Sequence, residues 1–278
     1  MHKHTVTVTR RQTASVVLRR AHQYAVSVPQ RWHDGGPLSH PFLTILHRDA
    51  ELVAIDKPAG LLVHPSALDK HEEHNALEQL QEQLGERLFP LHRLDKATSG
   101  VLLFARTAEA ASAWGKVFET GAVAKRYVAL VRGWPAESGE IDYALARDPE
   151  LPSAGQPRVA ALTRYRRLRT FEWPFSVEGR HPTSRYALVE IETLTGRRHQ
   201  IRRHFKHIAH PLVGDTTHGK GAHNRAVAQW LGIERMWLHA VSVELPGGPR
   251  VEAPLGGEWS GLMRSEEGGS SGSPPSRG

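Results

Sequence analysis

The sequence predicts an α+β domain with a mixed or antiparallel central sheet flanked by helices. Strand-like segments recur along the chain, but helix-like segments do not follow them regularly, as a doubly wound parallel sheet would require. An amphipathic stretch at residues 77–88 indicates that helices are also present. With 39% hydrophobic and 23% charged residues, the 278-residue chain is able to bury a sizeable core.

The predicted elements begin after residue 40, where a polar segment gives way to apolar stretches at 42–46 and 51–56. Leu77, Leu80, Leu84 and Leu88 recur every three or four residues, which marks one face of a helix. Four further segments, several of them alternating, are predicted strands: 100–106, 126–132, 184–192 and 237–245. Residues 196–209 predict a second helix, opened by Gly196 and ended by Pro211, with Arg198 and Arg202 one turn apart.

Composition excludes several classes of protein. The chain has no cysteine, which excludes disulfide scaffolds, Cys-ligated zinc, iron–sulfur clusters and thiol nucleophiles. No run of about 18 apolar residues is present, and the first residues lack the apolar segment of a secretory signal. We therefore expect a soluble, cytoplasmic protein without a membrane partner.

The positive charge is unevenly distributed. Residues 1–40 contain six Lys and Arg against one Asp, and so carry most of the net charge of +7. A local cluster in residues 193–211, which contain no acid, is more informative than the total. Its members are Arg197, Arg198, Arg202, Arg203 and Lys206. Such a cluster is either a solvated helix face or a surface that binds phosphates.

Residues 92–100, HRLDKATSG, place one carboxylate, Asp95, between basic residues ahead of a predicted strand. Nearby positive charge should keep this carboxylate ionised at neutral pH. A fixed carboxylate can act as nucleophile, general base or metal ligand, but no neighbouring Asp or Glu is available to complete a metal site. From spacing alone, a structural role in which Asp95 caps a turn with Thr98 and Ser99 is slightly favoured.

Four ordered motifs resemble the RluA-type pseudouridine synthases. They are KPAGLLVHP at 57–65, HRLDKATSGVLLFAR at 92–106, KRYVALVRG at 125–133, and GRRHQIRRH at 196–204 followed by PLVGD at 211–215. With the segments around and between these motifs, the resemblance extends over about residues 43–264, nearly the whole chain outside its two tails. The resemblance implies the pseudouridine synthase fold and an isomerase, an intramolecular transferase, that needs no cofactor or metal.

The resemblance also implies roles for single residues. Asp95 is the expected nucleophile in the isomerisation of uridine, in which the C1′–N1 bond breaks and the base rejoins through C5. Tyr127 is expected to stack on the flipped base, Arg202 to pair with Asp95, and Arg93 to fill the space that the extruded base leaves. Base flipping is also expected on chemical grounds, because C1′ is out of reach inside a helix. The predicted phosphate contacts come from Arg197, Arg198 and Arg203.

The expected partner is structured RNA, and no protein partner is inferred. The motifs are most similar to the TruC-type branch of the family, which is associated with uridine 65 of tRNA, in the acceptor and T-arm region. RHPTSRYALVE at 180–190 and GDTTHG at 214–219 support this branch, although His218 stands where many relatives have tyrosine. An rRNA pseudouridine synthase of the same family is the alternative.

Two hypotheses from other classes are weaker. A non-catalytic RNA-binding protein is disfavoured because Asp95, Tyr127 and Arg202 are all present. A metal-dependent hydrolase is suggested only by the 18 His, which are scattered, and HEEH at 71–74 does not match the HExxH pattern of zinc sites. The expected organisation is a basic extension at 1–40, which either folds only on binding or is disordered, a catalytic domain at 41–264 and a disordered tail at 265–278.

Overall fold

The computed structural model describes residues 41–64, 74–179 and 181–263. The predicted extension at 1–40, the predicted tail at 265–278 and most of the HEEH segment lie outside these residues. Ten of the described strands form one sheet, and β7 and β8 form a separate pair. The strands are β1 (Thr44–Arg48), β2 (Leu52–Lys57), β3 (Phe89–Pro90), β4 (Ser99–Ala105), β5 (Ala124–Arg132), β6 (Ser138–Asp142), β7 (Leu145–Ala146), β8 (Arg158–Val159), β9 (Leu162–Trp173), β10 (Ser184–Thr193), β11 (Leu238–Glu244) and β12 (Arg250–Glu252).

The sheet is mixed, as the sequence predicts. Its strand order is β1-β2-β4-β11-β5-β10-β9-β6, with β12 paired to β11 and β3 paired to β4. Neighbouring strands run antiparallel, except that β11 runs parallel to β4. The described helices are α1 (Ala76–Leu84), α2 (Ala108–Glu119), α3 (Gln200–His207), α4 (Gly221–Leu231) and the short α5 (Ser260–Met263), which follows a 3-10 turn at Gly257–Trp259.

Both faces of the sheet are covered, because alternate residues of the strands enter different hydrophobic clusters. The α1-side cluster includes Val53, Ile55, Leu80, Leu102 and Phe104. The α3-side cluster includes Ala129, Val189, Ile191, Ile201 and Phe205. Tyr127 of β5 packs against both clusters, which places them side by side on one face of the sheet. The opposite face is covered by the clusters around Trp114 of α2 and Val227 of α4.

The predicted start of the second helix, at residue 196, is wrong. Helix α3 starts at Gln200, and the preceding His199 has a left-handed backbone with φ of 54°. The amide oxygen of Gln200 accepts hydrogen bonds from Arg197 N at 3.0 Å and from Thr195 Oγ1 at 2.7 Å. These bonds fix residues 195–199 as a loop, so Arg198 is not one helical turn from Arg202.

The predicted first helix is correct but shorter than the leucine pattern suggests. It ends at Leu84 because Gly85 adopts a left-handed conformation, with φ of 65°, and its N–H donates to Gln81 O. Leu88 lies beyond this end and is still buried in the α1-side cluster. The side-chain oxygen of Gln81 accepts from Leu88 N at 3.0 Å, which turns the chain back toward the core.

Candidate active site

Asp95 lies in the loop between β3 and β4 and faces helix α3. Its Oδ2 accepts a hydrogen bond from Arg202 Nη1 at 2.9 Å. The side chain of Asp95 is 19% exposed and that of Arg202 is 8% exposed, so the pair is shielded while one carboxylate edge stays accessible. Thr98 N donates to the backbone carbonyl of Asp95, at 2.9 Å. The turn therefore uses the backbone of Asp95, and the side chain is directed at Arg202 instead of capping the turn.

A second carboxylate, Asp215, binds the other edge of the Arg202 guanidinium. Arg202 Nε and Nη2 donate to the two Asp215 oxygens at 2.7 and 2.9 Å. Asp215 is 1% exposed, and burial alone would raise its pKa. The hydrogen bonds and charge of Arg202 outweigh burial and lower the pKa of Asp215 below its usual value. This two-pronged contact fixes the plane of the guanidinium and therefore the direction in which it meets Asp95.

A buried lysine, Lys57, hydrogen-bonds to the backbone of the Asp95 loop. Lys57 is completely buried, and its Nζ donates to the carbonyls of Pro58, Leu61 and Lys96 at 2.7, 2.8 and 3.1 Å. Gly60 N also donates to Lys96 O, at 2.8 Å. Burial lowers the pKa of Lys57 to about 7, although the charges of Asp95 and Asp56 oppose the shift. The residue that follows Asp95 is thus tied to the 57–61 segment by two donors.

Tyr127 lies near Asp95 at the junction of the α1-side and α3-side clusters. Burial, with a smaller contribution from the charge of Asp95, raises the pKa of the Tyr127 phenol, and a hydrogen bond with Thr193 only partly offsets it. The phenol is therefore protonated at neutral pH. A neutral ring beside a carboxylate offers an apolar face for stacking and a hydroxyl that can donate a proton.

Two histidines complete the surroundings of Asp95. His199 Nε2 is 3.9 Å from Asp95 Oδ1, and His199 Nδ1 is 3.1 Å from His218 Nε2. Burial lowers the pKa of His199 to about 4, against the attraction of Asp95. Burial also lowers the pKa of His218, although Asp215 opposes the shift. Both rings are therefore neutral at pH 7, and Arg202 is the cation that pairs with Asp95.

The predicted RNA-binding arginines occupy different settings. Arg93 is exposed, two residues before Asp95. Arg197 Nε donates to Ala160 O at 3.0 Å, and Arg203 Nη1 donates to Ala146 O at 2.9 Å. These contacts position the two side chains and leave their charges free of carboxylates within the described residues.

Arg198 differs from its neighbours, because two carboxylates of the loop between β7 and β8 neutralise it. Its Nη2 is bonded to Glu150, and its Nη1 lies 3.8 Å from Asp148 Oδ1. A phosphate would have to compete with these carboxylates for Arg198. The structure therefore brings Asp95, Tyr127 and Arg202 together and leaves the contribution of Arg198 to RNA binding as a prediction.

Sequence reasoning assigned no role to Asp215 and Lys57. Both belong to quoted motifs, PLVGD and KPAGLLVHP, but spacing alone did not show that they support Asp95. His92, in the same motif as Asp95, has a structural role: it accepts a hydrogen bond from Leu103 N at 3.2 Å and stacks on Phe118. Among the described residues, no group of three or more His, Cys, Asp or Glu could hold a metal ion.

The arrangement matches a known family. The model of the RNA pseudouridylate synthase family matches residues 51–207, which contain Asp95, Tyr127 and Arg202. The chain belongs to this family. The enzyme is therefore an isomerase. None of the described helices has the length and apolar character needed to cross a membrane.

Curated relatives of the enzyme carry a more specific name. It is 46% identical over 203 residues to the tRNA pseudouridine synthase C of Vibrio vulnificus, covering 71% of this chain and 82% of that protein. It is 48% identical over 202 residues to the protein of the same name from Haemophilus ducreyi, covering 71% and 83% of the two chains.

Solved structures support the fold. Human RNA Pseudouridylate Synthase Domain Containing 1 superposes with a TM-score of 0.64 at 24% identity, covering 83% of this chain and 89% of that one. The human Domain Containing 4 protein gives a TM-score of 0.59 at 25% identity, covering 78% and 90%. The predicted pseudouridine synthase fold is confirmed.

Proposed function

We propose that the enzyme converts uridine to pseudouridine in tRNA, with Asp95 as its nucleophile. The observation that carries this proposal is the shielded ion pair of Asp95 and Arg202 beside a protonated tyrosine. Arg202 occupies Oδ2, whereas Oδ1 has no hydrogen bond within the described residues and is free to meet the substrate. A carboxylate of this kind is shielded from bulk solvent without being buried beyond the reach of a substrate.

The proposed reaction leaves the atoms of the nucleotide balanced. Asp95 Oδ1 attacks or stabilises the sugar as the C1′–N1 bond breaks, or acts as base toward the C2′ proton. The base then rotates, C5 bonds to C1′, C5 loses its proton and N1 carries one. The carboxylate departs unchanged, so no external cofactor takes part. Tyr127 is proposed to stack on the flipped base and to assist proton transfer.

Arg202, which Asp215 anchors, is proposed to fix the position and direction of the Asp95 carboxylate. Exposed Arg93 is proposed to enter the RNA stack where the uridine has left it. Arg197 and Arg203 are proposed to bind backbone phosphates, which position the RNA without reading its sequence. Arg198 would join them only if RNA displaced it from Glu150.

The choice of tRNA rests on the relatives, several of which are named tRNA pseudouridine synthase C. Uridine 65, in the acceptor and T-arm region, is the proposed target because the motifs are most similar to the TruC-type branch. The same site chemistry would serve an rRNA hairpin. We also propose that residues 41–264 form the catalytic domain, and a cytoplasmic location remains a prediction that follows from the substrate.

The test is to incubate the purified enzyme with unmodified tRNA and, separately, with rRNA transcripts, and then to map pseudouridine by chemical labelling and primer extension. We expect one new pseudouridine, in the T-arm region of tRNA. Modification of rRNA alone would keep the chemistry and overturn the substrate. No modification of either RNA would contradict the proposed function.

A further inference from the structure

A cleft lies beside the candidate active site, between helix α3 and the β7–β8 pair. Its volume is about 530 Å³, which is within the range of small-molecule sites and exceeds what a phosphate group alone would fill. Among its lining side chains are Arg158, Arg203, Lys206, Tyr143, His207 and His218. None of the residues that line it is acidic.

The cations of this cleft are not neutralised by the protein. Arg158 and Arg203 donate to the carbonyls of Ala144 and Ala146, both at 2.9 Å, and within the described residues no carboxylate forms an ion pair with either of them or with Lys206. Other arginines, such as Arg164 and Arg250, pair with Glu. Burial and, less strongly, the charge of Arg158 lower the pKa of Arg203. Uncompensated cations crowded in a cleft favour an anionic ligand.

One wall of the cleft is a stack of three planar groups. The ring of Tyr143 lies on the ring of His207, with centroids 3.6 Å apart and an angle of 14° between planes. The guanidinium of Arg158 lies over the same tyrosine, 5.3 Å from its centroid. Guanidinium planes and aromatic rings are the surfaces on which unpaired nucleic-acid bases stack. The cleft thus combines cations for a phosphate with planar groups for a base.

Two imidazole rings, those of His218 and His199, lie between the cleft and Asp95. His218 lines the cleft and is hydrogen-bonded to His199, whose Nε2 is 3.9 Å from Asp95 Oδ1. The centroids of the two rings are 5.3 Å apart. A ligand in the cleft is therefore a near neighbour of a nucleotide bound at Asp95.

We propose that this cleft binds an unpaired nucleotide next to the flipped uridine, with its phosphate on Arg203 and Lys206 and its base on Arg158. The proposal rests on the proposed function and adds a second nucleotide to it. Enzymes that act on flipped bases commonly choose their target through contacts to flanking nucleotides. The cleft would therefore contribute to the choice of site, whereas Asp95 supplies the chemistry.

The test measures the binding of tRNA, and of tRNAs with one abasic nucleotide placed in turn across the T arm, to four proteins. These are the wild type, Arg158→Gln, Arg158→Lys and the control Arg250→Gln on β12. In the wild type, one abasic position next to the target should weaken binding roughly tenfold, the order of magnitude of one stacked base. In both Arg158 variants the same abasic position should cost little, because the stacking plane is already lost.

Salt separates the two contacts of the nucleotide. Lys206→Gln should lower the slope of log affinity against log salt by about one, the effect of one lost phosphate contact, whereas Arg158→Gln, which removes the stacking plane under the base, should change the slope less. Arg158→Lys should keep the slope, and Arg250→Gln should change neither slope nor abasic cost. The proposed nucleotide site would be overturned if each abasic nucleotide weakened binding equally in the wild type and the Arg158 variants. It would also be overturned if neither Arg158→Gln nor Lys206→Gln changed the affinity for tRNA.

Product formation is measured in parallel, so the two proposals can fail separately. If pseudouridine forms in tRNA but the Arg158 variants respond to each abasic position as the wild type does, the proposed function stands and the proposed nucleotide site in the cleft is overturned. If the effect of one abasic position depends on Arg158 but no pseudouridine forms, the proposed function is overturned and the proposed nucleotide site in the cleft stands.

Discussion

Arg202 links two carboxylates of the site, because its guanidinium donates to Asp95 through one edge and to Asp215 through the other. Lysine could not reproduce this geometry, because a single ammonium lacks the planar fork of donors. The buried Asp215 fixes Arg202, and Arg202 fixes the partly exposed Asp95. Asp215, which is 1% exposed, thereby determines where the proposed nucleophile lies.

We predict that Arg202→Ala lowers the single-turnover rate by about 100-fold or more, because loss of one partner of a buried ion pair typically costs several kcal/mol. The dissociation constant for tRNA should change by less than about threefold, because Arg202 faces carboxylates and not phosphates. Rates measured with excess enzyme, together with affinities from filter binding, give both quantities.

The neighbouring Arg203→Ala is the matched comparison. We expect it to weaken tRNA binding, with a smaller dependence on salt and a nearly normal rate for bound RNA. If Arg202→Ala and Arg203→Ala changed the rate and the affinity to the same extent, the proposal that Arg202 positions Asp95 and Arg203 binds RNA would be contradicted.

At the scale of the elements, the Asp95 loop depends on the parallel contact between β4 and β11. Gly100 has φ of 109°, and a Cβ at this position would lie 2.2 Å from Ala240 O. The strands can approach this closely only because residue 100 has no side chain. Since Asp95 is five residues earlier in the chain, this contact sets where the loop leaves the sheet.

We predict that Gly100→Ala destabilises the protein by about 3 kcal/mol, because backbone strain and overpacking add. The rate with tRNA should also fall, since the loop must move with β4. Gly115→Ala is the control, because Gly115 is in the interior of α2 with nothing within 4 Å of its added Cβ, and it should stabilise the protein slightly. Urea unfolding of the three proteins measures the difference, and equal midpoints for the two variants would contradict the account.

The apolar run YALV marks β10 as a strand in the sequence, but no such run marks β9. Its sequence, LTRYRRLRTFEW, contains four arginines that obscure its apolar pattern. Arg164 and Arg166 are accommodated by Glu140 and Glu190 on the adjacent strands β6 and β10. The sequence alone cannot show those partners, because they are 24 residues away in each case.

The site was predicted to a similar degree. Family resemblance indicated the pairing of Asp95 with Arg202, which are 107 residues apart. The contact of Arg202 with Asp215 was missed because it depends on a sharp bend at Gly214, where φ is 80° and a Cβ would overlap Arg235 O. The predicted start of α3 was wrong because hydrogen bonds of the Gln200 side chain, and not helix propensity, decide the path of residues 195–199.

At the scale of the whole molecule, the candidate site lies where the α1-side and α3-side clusters meet. The hydrophobic core that stabilises the fold therefore also positions the site. Several histidines of this molecule are neutral because they are wholly or partly buried. Burial lowers the pKa of His92 to about 3, and those of His199 and His239 to about 4. Burial acts in the opposite direction on Asp56, raising the pKa of its carboxyl to about 6.

We predict that the free energy of unfolding falls as the pH drops from about 6.5 to about 4. In this interval the unfolded chain binds protons at His92, His199 and His239 that the native protein does not, so protonation favours the unfolded state. Asp56 contributes in the opposite sense but is a single group. Urea titrations between pH 7 and 4 measure the loss, which should be several kcal/mol, because each unit of pKa shift is worth about 1.4 kcal/mol.

His239→Gln should flatten this dependence, because it removes a group that titrates only on unfolding. The exposed His181→Gln is the control and should leave the profile unchanged. Stability that stayed constant between pH 7 and 4 in the wild type would contradict the assignment of buried, neutral histidines.

The central claim is that the free edge of the Asp95 carboxylate performs the isomerisation. The most direct measurement is the single-turnover formation of pseudouridine in tRNA by Asp95→Asn, with Asp142→Asn, an exposed residue of β6, as control. The account predicts no detectable product from Asp95→Asn, a dissociation constant for tRNA within about threefold of the wild-type value, and normal turnover by the control. Product formed by Asp95→Asn at the wild-type rate would contradict it.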